Sequence, residues 1–337
     1  MRRAVGVLSA LMLASCATPY VQPPLTPPNG FAGPAIQPPA APGLPGTILA
    51  HDGARLPYLQ WLPAGGEPRM AIVALHGMND SKASFRLAGP WWAERGIATY
   101  AYDQRGFGRA PGQGEWAGEA AMTEDLRTVV ALVRARHPNA LVAVVGESMG
   151  GSVAIAGFAS PRPPDAHRLI LLAPGVWGWS AQGPVNSASL WVTARALGDL
   201  AIEPPEFVTR DRFASDNLPE LIRNGTDPDS ILSTRFDTLY GLVDLMETAS
   251  NSLGRVAAPT LLMYGADDQI IRKGAMRRAL ERAGEPPTLR SAWYSDGYHL
   301  LNRDLSAEAV YADIVAWLRA PGAALPSGAP PVLPELR

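Results

Sequence analysis

Short runs dominated by apolar residues recur along the chain: Met70–Leu75, Ile97–Tyr102, Leu141–Val145, Leu169–Leu172, Pro259–Tyr264 and Leu289–Tyr294. Runs of this length read as buried strands, because a strand covered on both faces has no polar side to alternate with. Between them lie stretches with helical spacing. Met122–Arg136 sets Leu126, Val129, Val130 and Val133 on one face, and Lys273–Ala283 and Ala307–Arg319 also read as helices. A further helix is expected over Ser81–Arg95, with Gly89-Pro90 as its point of interruption. Thr47–Ala50 and Leu56–Leu62, joined by the turn signal His51-Asp52-Gly53, read as a hairpin. Strands alternating with helices predict an α/β fold with a mostly parallel central sheet and helices on both faces.

The alternation fails in three places. Between Ala173 and Ala257 the chain holds Trp177, Trp179, Trp191, Phe207, Phe213 and Tyr240, with helical patterns around Ser189–Leu200 and Ile231–Thr248. An insertion of this kind after a sheet strand reads as a helical cap over the carboxyl ends of the strands. The expected organisation is a core of 47–174 and 257–320 around a cap of 175–256. Residues 16–46 are rich in proline and read as an extended tether, and 321–337 as a disordered tail. Residues 1–15 begin Met1-Arg2-Arg3 and continue as a short apolar stretch, the pattern of a secretory signal too short to span a bilayer.

Cys16 is the single cysteine, so no internal disulfide can form. Leu13-Ala14-Ser15-Cys16 resembles the lipobox of bacterial lipoproteins, which implies cleavage before Cys16 and acylation of the new N-terminus. With Ala17 next, the resemblance implies an outer-membrane anchor facing the periplasm. A 47% apolar content is enough for a sizeable core, and a net charge of −2 without a basic stripe gives no reason to expect nucleic acid.

The chemistry centres on Gly146-Glu147-Ser148-Met149-Gly150-Gly151, between the strand ending at Val145 and a helix over Ser152–Ala159. Strand, G-x-S-x-G and helix together make a nucleophile elbow. The serine must sit on a tight bend, so the residues two before and two after it pack together and have no room for side chains. A serine nucleophile needs a base, and the base needs an orienting carboxylate. Of five histidines, His51 lies in a turn, and His137 and His167 sit at the wrong end of the strands. His76 suits a bracing role in its loop. His299, just past the last strand, is at the correct end and is the expected base. Either Asp267 or Asp268 can reach it; Asp268, further out, fits the G-x-x-D spacing. The order Ser148, Asp268, His299 is that of the α/β-hydrolases. Met149 N–H and Met78 N–H are the expected oxyanion-hole donors.

The set His76-Gly77, Asp103–Gly108, Gly146–Gly151, Gly265–Asp268 and Asp296–His299 resembles the monoacylglycerol lipase and lysophospholipase group of α/β-hydrolases, over about Thr47–Arg319. The resemblance implies a serine esterase acting on small lipid-like esters, with Ser148, Asp268 and His299 as triad, Met78 and Met149 as oxyanion hole, and a structural turn at Asp103–Gly108. Asn79-Asp80 and Ala110 depart from that group's pattern, which touches the substrate and not the chemistry. No cofactor is implied, and no metal-ligand spacing appears. Two other readings stay open: an aminopeptidase or amidase using Glu203, Glu206 or Asp211 in the cap, and a catalytically dead lipid-binding lipoprotein.

Overall fold

A computed structural model describes residues 17–203 and 212–337. Cys16 and the signal-like segment before it lie outside the described residues, as do Glu206, Phe207 and Asp211. The strands in chain order are β1 (Ala35–Gln37), β2 (Gly46–Leu49), β3 (Arg55–Trp61), β4 (Met70–Leu75), β5 (Ile97–Tyr102), β6 (Leu141–Glu147), β7 (Arg168–Leu172), β8 (Ala201–Ile202), β9 (Thr234–Arg235), β10 (Thr260–Gly265) and β11 (Leu289–Tyr294). Among the described residues one sheet runs β1-β2-β3-β5-β4-β6-β7-β10-β11, and β8 pairs with β9 apart from it. From β5 to β11 all neighbours are parallel, while β1, β2, β3 and β5 pair antiparallel.

The period-two geometry of a strand sends successive side chains to opposite faces. Ile72, Ala74, Ala143 and Val145 therefore enter one layer, with Phe85, Trp92, Ile314 and Trp317. Val73, Leu75, Val142 and Val144 enter the other, with Leu126, Val130, Val153 and Met276. Each large side chain buried this way contributes about 1.5–3 kcal/mol, so both layers are needed to hold the sheet. The Asp103–Gly108 turn is fixed by charge. Arg105 is buried between Asp52 and Asp125, and the Asp103 carboxylate accepts from the backbone N–H of Lys82 and Arg109.

Four expectations are corrected. The helix expected over Ser81–Arg95 is a 3-10 turn, Lys82–Phe85, followed by a helix, Ala88–Ala93. The break precedes Gly89-Pro90, because proline in a first helical turn gives up an N–H that has no partner there. The proline-rich stretch is not a free tether from Tyr20 onward. Tyr20 Oη donates to Glu115, Gln22 N–H to Trp116 O at 2.8 Å, and β1 adds an antiparallel edge. Prolines tolerate a sheet edge, and the residues between them supply the bonds. The tail is ordered too: Trp293 N–H donates to Pro330 O at 2.8 Å, and Val332 and Leu333 are buried in a short helix, Val332–Glu335. It covers the edge that β11 would otherwise expose.

The insertion divides in two. The helices Trp179–Gln182, Pro184–Ala196 and Leu218–Thr226 belong to the cap region; only the second answers to an expected helical pattern, the one around Ser189–Leu200. The helix Phe236–Ser252 instead joins the main core through Val243, Leu245, Met246 and Ala249.

Candidate active site

Ser148 stands between β6 and the helix Met149–Phe158 with φ 50° and ψ −115°. This region is sparsely populated for a residue with a side chain and is held only where its surroundings over-determine it. They do so here. Ser148 N–H donates to Leu172 O at 3.0 Å, and Ser148 O accepts from Ser152 N–H at 3.1 Å and Gly175 N–H at 2.9 Å. A Cβ on Gly146 would lie 2.6 Å from Gly150 O, and one on Gly150 would collide with Leu75 O. The two glycines are thus required by close approach of strand, bend and helix.

The acid and the histidine come from the loops after β10 and β11. Asp268 Oδ2 lies 2.9 Å from His299 Nδ1, and both residues are buried. Asp268 Oδ1 accepts from Ile270 N–H and Ile271 N–H, each at 2.8 Å, which fixes the carboxylate's rotation. Asp267 is exposed, and its N–H donates to Gly297 O at 2.9 Å. With Nδ1 donating to Asp268, His299 presents Nε2 as an acceptor. Burial pushes the His299 pKa down, but the Asp268 charge and hydrogen bond, with Glu147 behind them, outweigh it and raise the pKa above the usual histidine value. No hydrogen bond joins Ser148 Oγ to His299 Nε2 in this structure. Catalytic hydrogen bonds of this type commonly tighten only with substrate.

The loop after β4 lies alongside. A Cβ on Gly77 would sit 3.3 Å from Ser148 Cβ. His76 Nε2 accepts from Gln104 N–H at 3.0 Å, so its proton is on Nδ1, which donates to Gly77 O at 2.7 Å. Burial holds the His76 pKa down, and the neutral ring braces the loop. Met149 N–H opens its helix and has no intrahelical partner. Met78 follows Gly77 beside the serine. The other three histidines have local duties: His51 is exposed on a turn, His137 bonds Tyr100 Oη at 2.8 Å, and His167 Nδ1 accepts from Val142 N–H at 2.9 Å.

Sequence reasoning missed a buried charge cluster beneath this site. Arg303 Nη1 lies 2.7 Å from Asp80 Oδ2, and its Nη2 lies 2.6 Å from Glu147 Oε1. The available signal was an acid directly before the elbow serine and an arginine four residues past the histidine, neither with an obvious exposed face.

A serine raised on a glycine-flanked bend of a mostly parallel sheet, with an acid–histidine pair on later loops, defines an α/β-hydrolase. The profile of the Hydrolase_4 family, described as Serine aminopeptidase, S33, matches residues 66–306, and the chain belongs to this family. It is 26% identical over 276 residues to a monoacylglycerol lipase of Mycolicibacterium smegmatis, covering 79% of this chain and 93% of that one. It is 24% identical over 278 residues to a monoglyceride lipase of Rattus norvegicus, covering 80% and 89%. Among solved structures it is similar to the monoacylglycerol lipase of Paleococcus ferrophilus, with TM-score 0.64, 20% identity and coverage of 78% and 98%. It is also similar to a soluble variant of monoglyceride lipase from Saccharomyces cerevisiae in complex with a substrate analog, with TM-score 0.66, 18% identity and coverage of 88% and 98%.

Proposed function

We propose that this protein is a serine hydrolase of carboxylic esters, acting on monoacylglycerol- or lysophospholipid-like substrates through an acyl-enzyme on Ser148. The observation that carries the reading is the 2.9 Å Asp268–His299 pair on the sheet edge that raises Ser148 on its bend. Ser148 Oγ attacks the ester carbonyl while His299 Nε2 takes its proton. Met78 and Met149 N–H groups receive the developing oxyanion, a contribution of about 2.7–4 kcal/mol for each donor. His299 then protonates the departing alcohol, and water hydrolyses the acyl-enzyme by the same route in reverse. The names of the relatives support an acyl-glycerol substrate, and the family's description keeps an aminopeptidase as the second reading.

The two are separated by turnover of a p-nitrophenyl acyl ester against an aminoacyl anilide. We expect rapid ester cleavage and little of the anilide; a preference for the anilide would overturn the esterase reading. The base must be neutral to accept the serine proton, so protonation of His299 abolishes activity. Because its pKa is raised, kcat/KM should climb with pH through a midpoint above 6.5. A midpoint below that value would show that the imidazole is not coupled to Asp268 as described.

Acylation at Cys16 belongs to the same proposal. It rests on the lipobox-like Leu13–Cys16, and it would put the lipid four residues before Tyr20, where docking on the core begins. The body would then lie close to the membrane, without a long flexible spacer.

A further inference from the structure

Arg303 is fully buried, yet it faces three carboxylates drawn from three segments. Asp80 closes the loop that carries Met78, Glu147 immediately precedes Ser148, and Glu220 lies in the first turn of the cap helix Leu218–Thr226 with Oε1 3.8 Å from Nη1. The backbone of Arg303 is pinned in turn. Its N–H donates to Leu300 O at 2.7 Å, and its carbonyl accepts from Asn217 Nδ2 at 2.8 Å. Arg303 is therefore rigidly joined to the turn that begins at His299.

Stability is a poor explanation for this cluster. Desolvating several charges offsets most of their attraction, and apolar replacements of buried ion clusters are often as stable or more so. The cluster is also incompletely satisfied: among the described residues, Glu147 Oε2 and Arg303 Nε are buried without a hydrogen-bond partner. What the guanidinium supplies is geometry. Its planar fork fixes two carboxylates at set positions, which a single ammonium cannot do. One of those carboxylates belongs to the segment of one oxyanion donor, and the other to the segment of the nucleophile and the second donor.

We propose that Arg303 is a positioning residue for ester hydrolysis, its fork setting the spacing between the Met78 loop and the Ser148 elbow from the same turn that delivers His299. The inference rests on the reading of Ser148 as nucleophile. An oxyanion hole built from two separate segments works only if their N–H groups converge on one point, and a misplacement of about 1 Å costs on the order of 10²-fold in rate. Asp80 and Glu147 are the two handles by which those segments are held.

The test uses the full protein with Arg303→Lys, Glu147→Gln and Ser148→Ala. For each, kcat and KM on a p-nitrophenyl acyl ester, the labelling rate by a fluorophosphonate and the thermal melt are measured in one preparation. Arg303→Lys and the isosteric Glu147→Gln are each expected to lower kcat about 10²-fold with KM changed by less than about threefold. Labelling should slow in parallel, because the phosphonyl oxygen uses the same N–H donors. A purely structural role predicts instead that the folded fraction keeps wild-type kcat while the melt falls. Wild-type kcat in the folded fraction of either variant, beside an inactive Ser148→Ala, overturns the positioning role alone. Near-normal turnover by Ser148→Ala overturns the reading beneath it. If one substitution prevents folding, the other decides.

Discussion

Replacing Ser148 with alanine is expected to lower kcat by about 10⁶-fold and to leave the thermal melt close to that of the unaltered protein. The two halves of this prediction have different origins. The residue's structural bonds run through its backbone, to Leu172 O, Ser152 N–H and Gly175 N–H, and all survive loss of the hydroxyl. The positive φ is imposed by the glycines around it, and alanine occupies no more space there than serine. Catalysis is lost because water must then attack the ester without covalent help. The residual rate comes from the oxyanion donors and substrate binding, which typically leave 10³–10⁴-fold over the uncatalysed reaction. Ester turnover and circular-dichroism melting on the same sample read both halves. Turnover within about tenfold of the unaltered protein would remove Ser148 from the mechanism.

The parts of the molecule that were legible in the sequence are those governed by local rules. β4, β11 and the helices Lys273–Ala283 and Ala307–Arg319 have the boundaries their hydrophobic pattern predicts. The elbow was legible because sterics dictate its glycines wherever it occurs. Asp268 could be preferred to Asp267 by spacing, and the structure places Asp268 on His299. What composition concealed was partnership. Proline-rich ends look free when judged by their own content, yet Gln22, Ile36 and Val332 dock on surfaces formed by distant residues. The helix Phe236–Ser252 sits inside an insertion along the chain but packs with the core, which no local period reveals. Arg303 was hidden for a related reason. A charged residue in a sequence reads as solvated until its burial and its partners are known, and here Asp80 and Glu147 lie 223 and 156 residues away along the chain.

Substituting Asp268 with asparagine should lower kcat by about 10⁴-fold with little change in fold. The two carboxylate oxygens have different partners. Oδ1 is held by the N–H groups of Ile270 and Ile271, and an asparagine carbonyl can accept both bonds equally well. That choice turns the new amide group toward His299 Nδ1, where Oδ2 now accepts a proton. Two donors cannot face each other, so the imidazole is driven to carry its proton on Nε2 and its lone pair on Nδ1. In that tautomer Nε2 has nothing with which to accept the hydroxyl proton of Ser148. The same substitution removes the charge that raises the His299 pKa, so the remaining activity should show its acid limb at lower pH than the unaltered protein. Asp267→Asn, on an exposed neighbour, supplies the comparison and should keep kcat within about threefold. An active Asp268→Asn with an unmoved acid limb would show that His299 takes its orientation from something other than this carboxylate.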